Sequence, residues 1–317
     1  ASSPNISYGD TVPAITANYS TGEKPSTMTT DPVCVSSVTG KPAVGVYSNA
    51  TTCSGAVDPN YHITYAPGTI TVDKSVLTIT ASSHTITYGE AIPTIAPIYS
   101  GWVNGESAAV LTTLPTCSTT AIANSPVGSY ASTCTDAVAA NYEIVYLPGT
   151  FTITKKAASV TPADKSKVYG ADDPELTGSL VGFIPADSVT ATYSRVAGET
   201  VLGSPYTISA VLSPSDVLDN YAITYNTGVF TITPKGVTVT ADPQSKEYGT
   251  ATDPALTYTS SDPTVTFSGG LVRVAGETAG TYAINQGTLS NSNYTITFNP
   301  GTFTITKKAA SVTPADK

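Results

Sequence analysis

The stretch NYTITFNPGTFTI, residues 293–305, decides the fold of this chain. Apolar residues alternate with Thr from Tyr294 to Phe298, and the alternation resumes from Phe303 to Ile305 after the turn sequence Asn-Pro-Gly-Thr. Successive side chains of a β-strand point to opposite faces of a sheet, so this period of two indicates two strands that each bury one face. The short Pro-Gly segment between them predicts that the two strands form a β-hairpin.

The phrase occurs four times, as YHITYAPGTITV at 61–72, YEIVYLPGTFTI at 142–153, YAITYNTGVFTI at 221–232 and in the copy above. Tyr-Gly pairs recur in step with it, beginning at Tyr8, Tyr88, Tyr169 and Tyr248, at spacings of 80, 81 and 79 residues. Self-similarity at a fixed period indicates a tandem array of one structural unit. The chain is therefore predicted to be four copies of one all-β domain.

The period also sets the predicted domains. Repeat 1 covers residues 1–74, repeat 2 covers 75–155, repeat 3 covers 156–234, repeat 4 covers 235–307, and residues 308–317 are the opening strand of a following unit. About seven short strands per repeat favour tandem immunoglobulin-like β-sandwich domains in a rod. Polar segments such as 103–111 and 184–190 fit either a loop or one helical turn. A β-grasp-like unit with a short helix is therefore the alternative.

Charge is scarce in this sequence, which argues against several classes of partner. Of the 317 residues 40% are apolar and only 12% are charged, and the formal net charge is −9. The 14 basic residues form no cluster, and binding to nucleic acid or to an anionic membrane depends on a basic surface. The sequence contains no run of about 18 apolar residues and no signal-peptide pattern at Ala1. We therefore expect that this segment does not bind nucleic acid and does not insert into a membrane.

The four cysteines fall into two local pairs. Cys34 and Cys53 are 19 residues apart, and Cys117 and Cys134 are 17 apart, so neither pair has the C-x-x-C spacing of a zinc or redox site. Both pairs are predicted to form disulfides, each stabilising its repeat by roughly 3 kcal/mol. Disulfides in turn predict an oxidising, extracellular location.

The sequence contains no arrangement typical of catalysis. His62 and His84 lack metal-ligand spacing, and no phosphate-binding, nucleophile-elbow or zinc-protease motif occurs. We therefore expect a protein that is not an enzyme, with no catalytic, cofactor-binding or metal-binding residue.

Acidic residues raise the question of a calcium ion. Asp172, Asp173 and Asp253 follow Tyr-Gly turns, and Asp216 and Asp219 precede an Asn-Tyr pair. Carboxylate oxygens are the ligands that calcium prefers. Asp is also an ordinary residue of turns, and no EF-hand loop is present. We expect no cofactor and keep calcium as the alternative.

These features together resemble one known family. A Thr-rich strand, a Tyr-Gly pair, a Gly-x-Tyr strand start and the NY-x-I-x-Y-x-PGT phrase are similar to the MBG repeats of the Tyr-Gly type. Such repeats form tandem arrays in large bacterial surface and adhesin-like proteins, and the resemblance covers essentially the whole chain. It implies exposure at a cell surface or in a secreted filament, with a structural or adhesive role, and it transfers no catalytic residue.

The sequence has no opening strand before repeat 1 and has an additional one after repeat 4. Opening strands precede the later Tyr-Gly pairs at 76–81, 158–163 and 236–241, whereas repeat 1 starts at Ala1 without one. A strand of the same kind ends the chain, as Ala310, Ser311, Val312, Thr313, Pro314 and Ala315. Either four periods were cut from a longer array, or the last strand fills the vacant edge of repeat 1 in the next molecule and joins molecules head to tail.

Two functions fit these observations. The first is a structural stalk or filament segment of an extracellular adhesin-like protein, whose partners are copies of itself or neighbouring repeats. The second is an adhesion module that binds a glycan or a protein, with Trp102 as the candidate ligand contact. A single tryptophan without aromatic neighbours in the sequence is more often a residue that fills a core or a domain interface.

Overall fold

The computed structural model describes residues 1–313 and is built from β-strands. The chain divides into two compact units, Ala1–Lys156 and Ala157–Lys317. The first unit holds repeats 1 and 2, and the second holds repeats 3 and 4. Among the described residues no helix has the length and apolar character needed to cross a membrane.

Repeats 2, 3 and 4 share one set of strands, and repeat 1 has a shorter set. Repeat 1 contains β1 (Asn5–Ser7), β2 (Val33–Ser36), β3 (Gly45–Ser54) and β4 (Gly68–Asp73). Repeat 2 contains β5 (Ser75–Ala81), β6 (His84–Thr87), β7 (Pro97–Ser100), β8 (Thr116–Thr119), β9 (Gly128–Thr135), β10 (Tyr142–Leu147) and β11 (Gly149–Thr154). Repeat 3 contains β12 (Lys156–Pro162), β13 (Lys165–Val168), β14 (Gly178–Val181), β15 (Thr190–Arg195), β16 (Tyr206–Ser213), β17 (Tyr221–Tyr225) and β18 (Gly228–Thr233). Repeat 4 contains β19 (Lys235–Ala241), β20 (Gln244–Glu247), β21 (Tyr258–Ser260), β22 (Val272–Arg273), β23 (Gly280–Asn285), β24 (Tyr294–Asn299) and β25 (Gly301–Thr306).

Two sheets form a β-sandwich in each of repeats 2–4. In repeat 2 the three-stranded sheet has the order β10-β5-β7, and its central strand β5 runs parallel to β10 and antiparallel to β7. The four-stranded sheet has the order β6-β11-β9-β8, and its first pair is parallel. Repeats 3 and 4 have the same strand orders. This confirms the predicted all-β, immunoglobulin-like sandwich.

Helical structure is limited to short 3-10 segments in the part of the chain that the structure describes. They are Ala108–Val110, Pro185–Asp187 and Ser215–Asn220. None of these segments replaces a sheet, so the alternative of a β-grasp-like unit is wrong. The first two lie in the polar segments 103–111 and 184–190, for which the sequence predicts either a loop or one helical turn.

The predicted hairpin within each repeat is also wrong. In repeat 2, β10 and β11 follow each other directly but do not pair, because β10 lies in the three-stranded sheet and β11 lies in the other. Pro148 is the single residue between them, which is too short for a two-residue hairpin turn. Alternation of apolar residues indicates a strand with one buried face, but it does not identify the neighbouring strand.

Gly149 permits this crossing between the sheets. An added Cβ at Gly149 would lie 2.2 Å from the carbonyl oxygen of Ala81, at the end of the opening strand, and 2.7 Å from Ser132 Oγ. An added Cβ at Gly301 would likewise lie 2.7 Å from the carbonyl oxygen of Ala241. The Gly of the recurring phrase is therefore needed where the chain passes over the end of the opening strand.

Each sandwich is filled from both of its sheets. Phe151, Phe230 and Phe303, the aromatic residues that follow the recurring Gly, are all 0% exposed. Leu77 and Ile79 of the opening strand β5 are fully buried as well. Because burying one such side chain contributes about 1.5–3 kcal/mol, the opening strand is a main part of the core.

Repeat 1 has one sheet instead of two. Its strands have the order β1-β4-β3-β2, which matches the four-stranded sheets of the other repeats. Segments 17–20 and 61–66 correspond in sequence to β7 and β10, and they form no strand. In repeat 2 the common neighbour of these two strands is the opening strand β5. Without such a strand, both segments lack the partner that would supply ladder hydrogen bonds.

Candidate functional site: the acceptor groove and the repeat junctions

Both predicted disulfides are present in the structure. Cys34 of β2 is bonded to Cys53 of β3, and Cys117 of β8 is bonded to Cys134 of β9. Each pair joins residues that lie directly opposite each other on neighbouring antiparallel strands. The disulfides therefore fix the outer edge of the four-stranded sheet in repeats 1 and 2. They also indicate an extracellular, oxidising environment.

Repeat 3 fixes the same sheet with buried cations. The side chains of Lys167 and Arg195 are 6% and 9% exposed, and each pairs with both Asp173 and Glu199. The Arg195 guanidinium lies 4.6 Å from the ring centre of Phe230, which is a cation–π contact. Hydrogen bonds from Arg195 and Lys167 lower the pKa of Asp173 to about 2. The cluster therefore joins surface charge to the aromatic core.

Repeat 4 has a matching cluster. Lys246 and Arg273 pair with Asp253 and Glu277, and the guanidinium lies 4.9 Å from the ring centre of Phe303. Two of the acidic residues considered for calcium thus face Lys and Arg side chains. Residues 1–313 contain no group of three or more His, Cys, Asp or Glu side chains that could hold a metal ion.

Acid should weaken the sheet of repeat 3 through Asp173. Its folded-state pKa of about 2 lies below the ordinary value of 3.8. The ion cluster therefore stabilises the fold above about pH 4, and this contribution is lost as the pH falls towards about 2. Amide hydrogen exchange of the full chain, corrected for intrinsic pH dependence, should show protection in β13 and β18 falling across this range.

The control for this prediction is Asp173→Asn. This variant should be less protected in β13 at neutral pH and should show a smaller acid response there, because Glu199 is then the only carboxylate left to pair with Lys167 and Arg195 in the cluster. Strands β8 and β9 serve as an internal reference, because the disulfide between them does not titrate. An acid response that persists unchanged in the variant would contradict the role given to Asp173.

Two tyrosines and a glutamate join repeats 1 and 2. Tyr8, of the Tyr-Gly pair of repeat 1, donates a hydrogen bond to Glu106 at 2.6 Å, and Tyr142, of the Asn-Tyr pair of repeat 2, donates another at 2.5 Å. The two rings meet edge to face with centres 5.6 Å apart. The hydrogen bond to Glu106 raises the pKa of Tyr8, and burial raises the pKa of Tyr142 to about 12. Both hydroxyls therefore remain donors at neutral pH, and we call these three side chains the junction clamp.

Trp102 lies beside the junction clamp. Its ring meets Tyr142 edge to face at 5.2 Å and Tyr99 at 5.4 Å between centres. The next residue, Val103, contacts the Tyr-Gly turn of repeat 1 so closely that an added Cβ at Gly9 would lie 2.7 Å from Val103 Cβ. Gly9 also has a φ of 100°, which side chains disfavour. Trp102 thus lies at the contact between two repeats. A domain interface is one of the alternatives that the sequence predicts for it.

The Asn of the Asn-Tyr pair contributes a second contact across the junction. Asn141 Oδ1 accepts a hydrogen bond from the backbone amide of Val44 in repeat 1 at 3.3 Å. Between repeats 3 and 4, Asn293 Oδ1 accepts one from the amide of Val201 at 2.9 Å. The Tyr-Gly and Asn-Tyr rings of repeats 3 and 4 also meet edge to face, with centres 5.4 Å apart. Within each unit, therefore, the recurring Tyr-Gly and Asn-Tyr pairs form the interface between successive repeats.

Repeat 1 has an open groove where the other repeats hold their opening strand. The groove encloses about 380 Å³ and is lined by segments 17–21 and 61–66 together with Met28. Tyr61 in this lining is 54% exposed, whereas its counterpart Tyr142 is 2% exposed. We call this feature the acceptor groove.

One sequence occurs in two conformations in this structure. Residues 156–162 and 308–314 share the sequence KAASVTP. In repeat 3 the sequence forms the opening strand β12, in which Val160 is 0% exposed. In residues 308–313 it forms no strand, and Val312 is 95% exposed. Pro314 and Ala315, the last two residues of the predicted exchanging strand, lie outside the described residues.

Sequence reasoning missed the junction clamp and the ion clusters. The clamp had a signal, because Tyr-Gly and Asn-Tyr recur once per repeat, but these pairs served only as markers of the period. The ion clusters had one as well, since Arg195 and Glu199 recur as Arg273 and Glu277 in the phrase Arg-Val-Ala-Gly-Glu. The Arg and Glu of that phrase pair with each other, but the phrase does not identify Lys167 and Asp173, which complete the cluster of repeat 3. The Tyr-Gly and Asn-Tyr pairs likewise do not identify Glu106, the acceptor of the clamp.

Comparison with solved structures returns cadherin ectodomains at low similarity. The crystal structure of Drosophila N-cadherin EC1–4 is 9% identical, covers 97% of this chain and 99% of its own, and has a TM-score of 0.27. The human desmocollin-1 ectodomain is 8% identical, with coverages of 83% and 68% and a TM-score of 0.20. Mouse cadherin-23 EC22–24 is 12% identical, with coverages of 74% and 100% and a TM-score of 0.23. Similarity at this level supports no functional conclusion.

Comparison of sequences gives a family. No curated protein matches the chain. The family model of the MBG domain (YGX type) matches residues 1–71, 77–152, 158–231 and 237–304. Each match contains one of the four recurring Tyr-Gly pairs and one of the four Asn-Tyr pairs that begin the recurring phrase. Residues of these pairs form the contacts between repeats 1 and 2 and between repeats 3 and 4. The chain therefore belongs to the MBG domain family of the YGX type, as four tandem members.

Proposed function

We propose that this chain is a structural segment of an extracellular stalk or filament, at a cell surface or secreted, whose copies join head to tail. In this proposal residues 310–315 of one copy fill the acceptor groove of the next. The acceptor groove is the observation that carries it, because repeats 2–4 each hold a central opening strand at the equivalent place. A strand added between segments 17–20 and 61–66, the counterparts of β7 and β10, would gain main-chain hydrogen bonds to both of them. The contact joins two different surfaces, which is the geometry that builds filaments.

Repeat 3 supplies the register for the added strand. Ser159 of β12 lies opposite Val181 of β14, and the position of Val181 corresponds to Ser20 in repeat 1. Because Ser311 is the counterpart of Ser159, it lies opposite Ser20 of the next copy in the proposed complex. Val312 then points into the sandwich, and its neighbours alternate outwards.

A disulfide between copies tests this register. Opposed residues of antiparallel strands have Cα atoms about 4.5–5.5 Å apart, within the range of about 4.4–6.8 Å that a disulfide accepts. The full chain with Ser20→Cys and Ser311→Cys should therefore form a covalent ladder of dimers, trimers and longer species. Non-reducing electrophoresis after mild oxidation measures it.

The matched control moves one cysteine by two residues. The pair Ser20→Cys and Thr313→Cys places the thiols out of register by about 7 Å along the strand, beyond disulfide reach. It should give little ladder, and a synthetic peptide of residues 308–317 should suppress the ladder of the first pair. Equal ladders from both pairs, or a first pair that stays monomeric, would refute strand exchange.

A second candidate function is adhesion through the same groove. Tyr61 and Tyr65 line the acceptor groove and are exposed, and exposed tyrosine rings are suited to stacking on sugars. We propose this as the alternative for a glycan or protein ligand. Saturable binding of a glycan array to the full chain, competed by the 308–317 peptide, would favour adhesion over assembly.

A further inference from the structure

We infer that a second junction clamp holds successive copies together, in which Tyr248 of one copy donates a hydrogen bond to Glu23 of the next. The inference rests on the proposed head-to-tail association and identifies the side-chain contact that secures it. The partner is therefore a second copy of this chain. Its recognition chemistry is the tyrosine–glutamate pairing found between repeats 1 and 2.

Tyr248 has the backbone setting of Tyr8. The amide of Tyr8 donates to the carbonyl oxygen of Asp73 at 2.8 Å, and that of Tyr248 donates to Thr306 at 2.9 Å. The glycine after each tyrosine has a positive φ, 100° and 87° respectively. Tyr8 is 8% exposed, whereas Tyr248 is 52% exposed. The same turn therefore presents its ring to a neighbouring repeat in one case and to solvent in the other.

Glu23 holds in repeat 1 the position that Glu106 holds in repeat 2. Each glutamate follows a glycine with a positive φ, 88° and 74° respectively. Each also lies six residues before a threonine, Thr29 or Thr112, whose amide donates to a valine carbonyl oxygen at 2.9 Å. Glu106 accepts two tyrosine hydroxyls, while Glu23 is exposed. Glu23 is thus an acceptor with the local geometry of a clamp residue.

The remaining contacts of a junction are also open at these two places. Tyr61, the counterpart of Tyr142, is 54% exposed and lines the acceptor groove. Asn60 is exposed at the position of Asn141, which accepts an amide across the first junction. Repeat 4 of an incoming copy therefore contacts Glu23, Tyr61 and Asn60 in the proposed complex. These are the counterparts of the glutamate, tyrosine and asparagine of repeat 2 that contact repeat 1. In this proposal the exchanged strand and the clamp stabilise the same contact between successive copies.

The test is a double-mutant cycle on self-association of the full chain. Tyr248→Phe removes the donor of a charge-assisted hydrogen bond, and Glu23→Gln removes the charge of its acceptor, so each should raise the dissociation constant about tenfold. The double variant should show little further loss, because both changes remove the same interaction. Sedimentation velocity across a concentration series measures the constants. Tyr225→Phe and Glu247→Gln, two exposed changes outside the clamp, are the matched controls.

The outcomes separate this inference from the proposed function. If self-association depends on Val312 but its dissociation constant is unchanged by Tyr248→Phe and Glu23→Gln, the clamp is wrong and strand exchange is still supported. Additive losses in the double variant would also overturn the clamp, because the two residues would then act independently. A wild-type chain that stays monomeric at all concentrations would overturn both. Non-additive losses together with silent controls establish the clamp.

Discussion

Replacing Val312 by Asp is expected to abolish self-association of the chain. Val312 is 95% exposed in the free segment, and its counterpart Val160 is 0% exposed in the opening strand β12. The substitution loses about 1.5–3 kcal/mol of apolar burial and adds a buried carboxylate that costs several kcal/mol more. The dissociation constant should therefore rise by at least about a thousandfold. Sedimentation velocity and electron microscopy of negatively stained samples measure the loss of dimers and longer species.

The control for this variant is Thr313→Asp. The counterpart of Thr313 in repeat 3, Thr161, is exposed, so an outward-facing aspartate carries the same charge without being buried. This variant should associate almost as the wild type does. Because residues 308–313 form no strand in the free chain, neither change should alter the stability of the four repeats. A Val312→Asp chain that assembles normally would show that residues 310–315 do not enter a core.

Phe230→Ala should unfold repeat 3 or leave it marginally stable. The ring is 0% exposed and packs with Ile208 and Ile232 in the core of that sandwich. Loss of a buried phenylalanine costs about 3–5 kcal/mol, because the removed contacts are compounded by the cavity left behind. The change also removes the ring beneath the Arg195 guanidinium. Hydrogen exchange of the full chain should show protection lost in β16 and β18.

Val229→Ala provides the comparison at the neighbouring position. Val229 lies on the same strand but is 44% exposed, so its truncation should cost well under 1 kcal/mol. Protection in repeat 2 should stay unchanged in both variants, since it belongs to the other compact unit. Similar losses from Phe230→Ala and Val229→Ala would mean that Phe230 is not the centre of this core.

The sequence predicts strands better than it predicts their partners. Alternation in the recurring phrase places Phe151 and Ile153 on a buried face, as observed. The same alternation suggested a hairpin, yet the two halves of the phrase belong to different sheets. The reason is that a period of two reports burial of one face, and both sheets of a sandwich bury a face. The close approach of Gly149 to Ala81, which marks the crossing, involves residues far apart in sequence.

Of the candidate sites, the sequence predicts the disulfides, whose residues lie within one repeat, and not the junction clamp, which forms between repeats. The cysteine pairs were predictable because each disulfide is local, spanning 19 or 17 residues within one repeat. The clamp at Glu106 was not, because Tyr8 lies 98 residues from it and the intervening distance is closed only when two repeats pack. A tyrosine that recurs once per repeat reports that its position is constrained. It does not report whether the constraint lies inside the repeat or at its border.

The parallel pairing of β6 with β11 determines how a repeat of this kind carries tension. These two strands lie near the two ends of repeat 2 and run side by side in the same direction, from His84 opposite Phe151 to Thr87 opposite Thr154. A pull on the two ends of the repeat therefore draws the strands past each other along their length. Under such shear all of the bonds in the ladder bear the load together, whereas a hairpin pulled from its open end would break them one after another.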